Sequence, residues 1–150
     1  MLKNILIILI SSFLLLTCSN KDEIELSSQL SEEEKVAAVY AEAVEALNKG
    51  DAFYAAKKFR ETESLMPQTE WAAKSALMSA YADYSRNAYT QSIFGLERFI
   101  RTYPADNNLS YAHYLIAICY YEQILDEKKD LEPLIKARKK FKFILENYPE

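Results

Sequence analysis

The sequence predicts an all-α fold, a solenoid of three antiparallel helix pairs, on three observations. A small residue, a large apolar one four positions on and proline eight beyond that recur three times, as Ala55, Phe59, Pro67; Ser92, Leu96, Pro104; and Ala137, Phe141, Pro149. Glycine occurs only at Gly50 and Gly95 in 150 residues, which argues against phosphate loops, dinucleotide-binding turns and tight β-hairpins. Alanine, leucine, glutamate and lysine are abundant, and all four favour helix.

The N-terminus is a targeting segment, set aside before the fold is read. Lys3 is followed by an apolar run from Ile5 to Leu16, broken only by Ser11 and Ser12. That is short of the ~20 residues a membrane-spanning helix needs. The run stops at Leu15-Leu16-Thr17-Cys18, and polar Ser19-Asn20-Lys21-Asp22 follows. This pattern resembles a bacterial lipoprotein signal peptide over residues 1–17, with Cys18 lipidated as the mature N-terminus. Thr17 departs from the glycine, alanine or serine usual there. Ser19 is not aspartate, and the resemblance to that signal then implies sorting to the outer membrane. An ordinary cleaved signal or a single anchor is the alternative. Residues 18–30 read as a tether between lipid and domain. With Cys18 lipidated only Cys119 remains, so no intramolecular disulfide can form. Cys119 lies in the apolar run Tyr114–Tyr121 and reads as a small buried hydrophobe.

The repeat domain is expected over residues 31–150. Ser31 and Glu34 form a capping box for the first helix, each side chain satisfying a free backbone N–H. That helix carries Val36, Val39, Tyr40, Ala43, Val44 and Leu47 at helical spacing and closes at Asn48-Lys49-Gly50-Asp51. The second carries Phe53, Ala55, Ala56 and Phe59 and ends before Pro67. The second pair runs over Thr69–Ser85 and Ala88–Tyr103, turning at Arg86-Asn87. The third begins near Asn108, passes a charged loop at Asp126–Asp130, and places Pro133 in a first helical turn, where proline is tolerated. The small residue of each phrase lets two helices approach, the large one fills the gap beside it, and proline ends the second helix because it has no N–H to continue the ladder. The prolines are 37 and then 45 residues apart, close to the tetratricopeptide unit of about 34 residues with short insertions. The repeats fall at about 36–67, 73–104 and 110–149.

Nothing in the chain points to catalysis or to a cofactor. His113 is the single histidine, on a helix position that faces a partner helix. No cysteine–histidine cluster has metal-ligand spacing. The run Lys136, Arg138, Lys139, Lys140, Lys142 reads as a solvated helix face, with an acidic partner surface as the second reading. A net charge of −4 gives no basic footprint for nucleic acid. The reading is a non-catalytic protein without metal or cofactor.

The unusual feature is eleven tyrosines. Counted from the repeat starts, the inner-wall positions are Ala37, Tyr40, Val44 and Leu47; Lys74, Leu77, Tyr81 and Tyr84; and Tyr111, Tyr114, Ile118 and Tyr121. Tyr40, Tyr81, Tyr84, Tyr111, Tyr114 and Tyr121 are therefore expected to line one groove that binds an extended peptide, since tyrosine offers flat apolar area at low entropy cost and a hydroxyl for the backbone. The alternative is that these rings only pack neighbouring first helices together. Tyr103 and Tyr148 are expected in packing between repeats, and Tyr120 in the core.

Leu96-Glu97-Arg98-Phe99-Ile100-Arg101-Thr102-Tyr103-Pro104, followed by Leu109-Ser110-Tyr111-Ala112-His113-Tyr114-Leu115, resembles the BamD family of outer-membrane lipoproteins. Ala80-Tyr81-Ala82-Asp83-Tyr84 also fits. The stretch Tyr120-Tyr121-Glu122-Gln123-Ile124-Leu125-Asp126-Glu127-Lys128-Lys129-Asp130 is similar to the family's third-repeat loop. The resemblance implies a lipid-anchored protein on the periplasmic face of the outer membrane. It would act in the β-barrel assembly machinery with BamA and smaller lipoproteins, receiving the targeting segments of unfolded barrel proteins for insertion. The family has about five repeats, so a C-terminally truncated member is expected, lacking the BamA-binding part and exposing an apolar face on its last helix pair. The runner-up is another periplasmic tetratricopeptide lipoprotein, in pilus assembly or cell-division coordination.

Overall fold

The structure, a computed structural model, describes residues 31–124 and 130–149. Six helices follow one another: α1 (Glu32–Asn48), α2 (Ala52–Leu65), α3 (Glu70–Ser85), α4 (Tyr89–Thr102), α5 (Leu109–Glu122) and α6 (Glu132–Asn147). The expected lipidation of Cys18, the signal peptide over 1–17, the tether over 18–30 and most of the Asp126–Asp130 loop lie outside the described residues. No described helix is long and apolar enough to cross a membrane.

The three pairs are antiparallel, as the contacts between them show. In the first, Tyr40 meets Phe59 and Glu42 meets Tyr54 and Lys58. In the second, Ala80 lies against Gly95 and Tyr84 against Tyr89. In the third, Tyr114 meets Phe141 and Tyr120 meets Lys136. The turns are built by local chemistry. Gly50 takes φ of +85° between α1 and α2, where a side chain would be strained. The Asp51 carboxylate accepts from the Tyr54 N–H at 3.0 Å and starts α2. The Thr69 hydroxyl accepts from the Ala72 N–H at 3.3 Å and starts α3. Asn87, at φ of +62°, turns the chain into α4. The helices α2, α4 and α6 end at Leu65, Thr102 and Asn147, each two residues ahead of its proline. This is where proline's bias against helix in the preceding residue places the stop.

The phrase packs as its spacing predicts. Ala55, Ser92 and Ala137 are buried, and Phe59 and Leu96 have no exposed surface, while Phe141 is half-buried. Two apolar clusters result. Ala43, Ala46, Ala55, Ala56, Phe59 and Ala82 join α1, α2 and α3. A larger one joins α3, α4 and α5 around Leu77, Leu96, Phe99, Leu115 and Ile116. Tyr103 and Tyr120 pack against this second cluster. Cys119 is fully buried, and its thiol sits 3.5 Å from the Ser92 hydroxyl. Across repeats, Arg98 on α4 holds Glu63 on α2 through both terminal guanidinium nitrogens, Nη1 and Nη2, and the Tyr103 hydroxyl donates to the same carboxylate at 3.2 Å. Helix α6 buries only Ala137, and Ile135 and Leu145 on it are 61% and 77% exposed.

Candidate functional site

The first helices of repeats two and three bring four of the six expected tyrosines together. Tyr81 and Tyr84 lie on α3, with ring centroids 6.2 Å apart. Tyr111 and Tyr114 lie on α5, 6.5 Å apart. The spacing of three residues explains both pairs, because residues three apart share a helix face. The two pairs are near enough to act on each other electrostatically. Burial and the neighbouring Tyr81, Tyr84 and Tyr114 hydroxyls raise the Tyr111 phenol above its ordinary pKa, and burial, Glu122 and nearby tyrosines raise that of Tyr84. At neutral pH these hydroxyls are protonated and can both donate and accept. Tyr81 and Tyr84 are half-buried, which fixes their rings, whereas Tyr111 and Tyr114 are 39% and 47% exposed. Tyr111 and Tyr114 also form one side of an open cleft of about 470 Å³, closed by Ile144, Tyr148 and Pro149 at the end of α6. The patch is therefore aromatic, half-fixed and open to solvent, with hydroxyls on its surface.

The other two expected tyrosines share no ring contact with these four among the described residues. Tyr40 packs edge-on against Phe59 at 5.2 Å and Trp71 at 5.4 Å, tying α1 to both α2 and α3. The Lys74 ammonium stands 4.8 Å above its ring, an arrangement the ring quadrupole favours. Tyr121, at the end of α5, is 58% exposed and shares no ring contact with the other five among the described residues. Trp71 was missed by the sequence reading. It precedes Lys74 by three residues and so belongs to the same face, but the count of inner-wall positions began after it. His113 packs its ring on Phe143 at 4.7 Å and on Tyr148. Burial and the Lys140 charge depress its pKa. The basic run on α6 is a solvated face, with Arg138, Lys139 and Lys142 exposed. Among the described residues no group of three or more histidine, cysteine or acidic side chains is placed to hold a metal.

Stacked helix pairs with small residues at their crossings and an aromatic wall on the first helices define a tetratricopeptide-like helical-repeat protein. The model of a family described as "YfiO: Outer membrane lipoprotein" matches residues 32–150. The chain belongs to that family. Curated relatives carry the name outer membrane protein assembly factor BamD. The protein of that name from Caulobacter vibrioides is 37% identical over 118 residues, covering 79% of this chain and 39% of its own length. Its counterpart from Neisseria meningitidis serogroup A is 29% identical over 122 residues, 81% of this chain and 46% of its own. One from Xylella fastidiosa is 25% identical over 156 residues, 97% of this chain and 52% of its own. The chain thus spans about half the length, or less, of these relatives.

Proposed function

We propose that this protein takes part in outer-membrane protein assembly as a non-catalytic receptor, holding extended segments of unfolded barrel proteins against the Tyr81, Tyr84, Tyr111 and Tyr114 wall. The observation that supports the reading is that patch, on a chain whose family is described as an outer membrane lipoprotein and whose relatives are named outer membrane protein assembly factors. An extended segment presents alternate side chains to one side and leaves its backbone groups free. Flat rings take those side chains, and phenolic hydroxyls take the backbone groups. Aromatic-rich segments suit the wall best, since ring pairs add about 0.5–1.5 kcal/mol beyond area burial. On this reading the protein is held at the periplasmic face of the outer membrane by lipid on Cys18 and works beside BamA and other lipoproteins of the machinery.

The test is a titration of a fluorescent peptide with alternating aromatic residues against the protein and its Tyr81→Ala, Tyr114→Ala double variant. Loss of two rings is expected to weaken binding by about 1–3 kcal/mol, or ~5- to 150-fold. An unchanged midpoint, with the variant's helical circular dichroism intact, would sink the reading.

A further inference from the structure

On the other side of α3 from the tyrosine wall, α2 and α4 form the banks of a second cleft of about 460 Å³. Its floor is Ala76, Ser79 and Asp83, spaced to lie away from Leu77, Tyr81 and Tyr84 on the same helix. All three floor residues are buried. Three arginines reach into it, Arg60 from α2, Arg86 from the turn after α3 and Arg98 from α4. Arg60 donates to Ser79 at 3.0 Å and to the Asp83 carboxylate at 3.2 Å. Arg86 donates to the other Asp83 oxygen through two nitrogens, at 3.0 and 2.9 Å. Arg98 is matched by Glu63.

The charge does not balance. One carboxylate, Asp83, serves two guanidiniums, so the cleft keeps a surplus positive charge in a chain of net charge −4. Asp83 also does what a ligand would otherwise have to do: it fixes two long side chains in place beforehand, so less rotamer entropy is lost when an anion arrives. The Arg60 side chain remains 47% exposed and that of Arg86 34%. Beside the cations stand two phenyl rings with nothing packed over most of their surface. Phe94, which lines the cleft, is 67% exposed, and Phe53 is 66% exposed with the Arg86 guanidinium 5.5 Å from its centroid.

We propose that this cleft is a second docking surface, independent of the tyrosine wall, for an acidic segment of a partner protein in which carboxylate side chains alternate with apolar ones. A carboxylate would complete the coordination of Arg60 and Arg86 through charge-assisted hydrogen bonds, and the neighbouring apolar side chain would cover Phe94. Nucleic acid is a poor fit, because its affinity comes from neutralising a long row of phosphates, and here a single surplus charge lies on an acidic protein. The exposed rings fit a protein segment and do nothing for a simple anion.

The experiment follows arginine side-chain N–H signals of the isotope-labelled protein by NMR. The probe is an end-capped hexapeptide alternating glutamate with leucine, compared with its glutamine counterpart and with inorganic phosphate. The glutamate peptide is expected to shift the Arg60 and Arg86 signals and the Gly95 amide at the cleft edge. Its midpoint should lie about tenfold below that of the glutamine peptide and rise with added salt. The exposed Phe94→Ser, which disturbs no core contact, should weaken it ~3- to 10-fold. The Tyr81→Ala, Tyr114→Ala variant should bind this probe normally, which separates the cleft from the wall. The proposal is overturned by any of four results: glutamine and glutamate peptides binding alike, phosphate binding tighter than the glutamate peptide, Phe94→Ser binding normally, or shifts confined to the tyrosine wall.

Discussion

Truncating the large residue of each phrase tests how the repeats hold together. Phe59 is fully buried, and its neighbours in the cluster are Ala43, Ala46, Ala55, Ala56 and Ala82. Alanine methyls are fixed to helix backbones and cannot swing into a vacated space, so Phe59→Ala leaves a cavity that only the half-buried side chains at its edge, Tyr40 and Met78 among them, could partly fill. The cost should lie at the upper end of the ~3–5 kcal/mol seen for buried phenylalanine. Tyr40 also loses an edge-on partner at 5.2 Å, adding about 0.5–1.5 kcal/mol. Against a total stability of about 5–15 kcal/mol, that leaves the protein marginal. Leu96→Ala, also fully buried, should cost ~3–5 kcal/mol by the same argument. Phe141 is half-buried, so Phe141→Ala should cost about half of a full burial, ~1–2 kcal/mol. Urea unfolding followed by circular dichroism measures all three. A Phe59→Ala cost below about 1.5 kcal/mol, or a Phe141→Ala cost equal to it, would refute the view that the phrase supplies the packing between helices.

Replacing Glu63 with glutamine leaves Arg98 and Tyr103 without their shared carboxylate. Arg98 is partly exposed, so the expected loss is modest, about 1 kcal/mol, and shrinks in salt. Unfolding at low and high salt checks it. The raised phenol pKa values of Tyr40, Tyr103 and Tyr111, burial being the first cause of each, mean that the folded state holds these protons more tightly than the unfolded chain does. Stability should therefore be fully present below about pH 10 and fall as pH rises through the folded values, and Tyr40→Phe should lessen that fall in urea midpoints measured from ~pH 8 to 11. His113 has the opposite sign for a base: its depressed pKa gives stability that is present above the ordinary value of 6.5 and lost as pH falls through the folded one. A His113→Gln variant should flatten the decline between about pH 7 and 5 in the same assay.

The helix ends, the pairing and the crossing residues were legible because each is a local consequence of residue type at fixed spacing. Pro67 and Pro104 mark stops, and Ala55 and Ser92 mark close approaches wherever they occur. The wall was legible only in part. Tyr81, Tyr84, Tyr111 and Tyr114 follow the count of positions. Tyr40 meets Lys74, a wall position in the same count, but also Phe59 and Trp71, which a count of first-helix wall positions leaves out. Phe141 shares the phrase with Phe59 but is half-buried, because the burial of the last pair depends on what lies against it and the phrase describes only the pair itself. The arginine cleft left no trace in the sequence. Arg60 and Asp83 are 23 residues apart and look like two ordinary surface charges until α2 and α3 are packed. The basic run at Lys136–Lys142, the charge feature the sequence does advertise, is mostly exposed, with Lys136 and Lys142 paired along the helix by Glu132 and Glu146.

The binding proposed above puts unfolded barrel segments on the tyrosine wall. A photoreactive benzophenone residue placed at position 81 or 114, with position 138 on the solvated face of α6 as control, tests it directly. Each labelled protein is mixed with a urea-denatured outer-membrane barrel protein, diluted out of urea and illuminated. Adducts are expected from positions 81 and 114, with both competed by the aromatic peptide. Adducts from position 138 as abundant as those from 81 and 114, or adducts that the peptide does not displace, would contradict it.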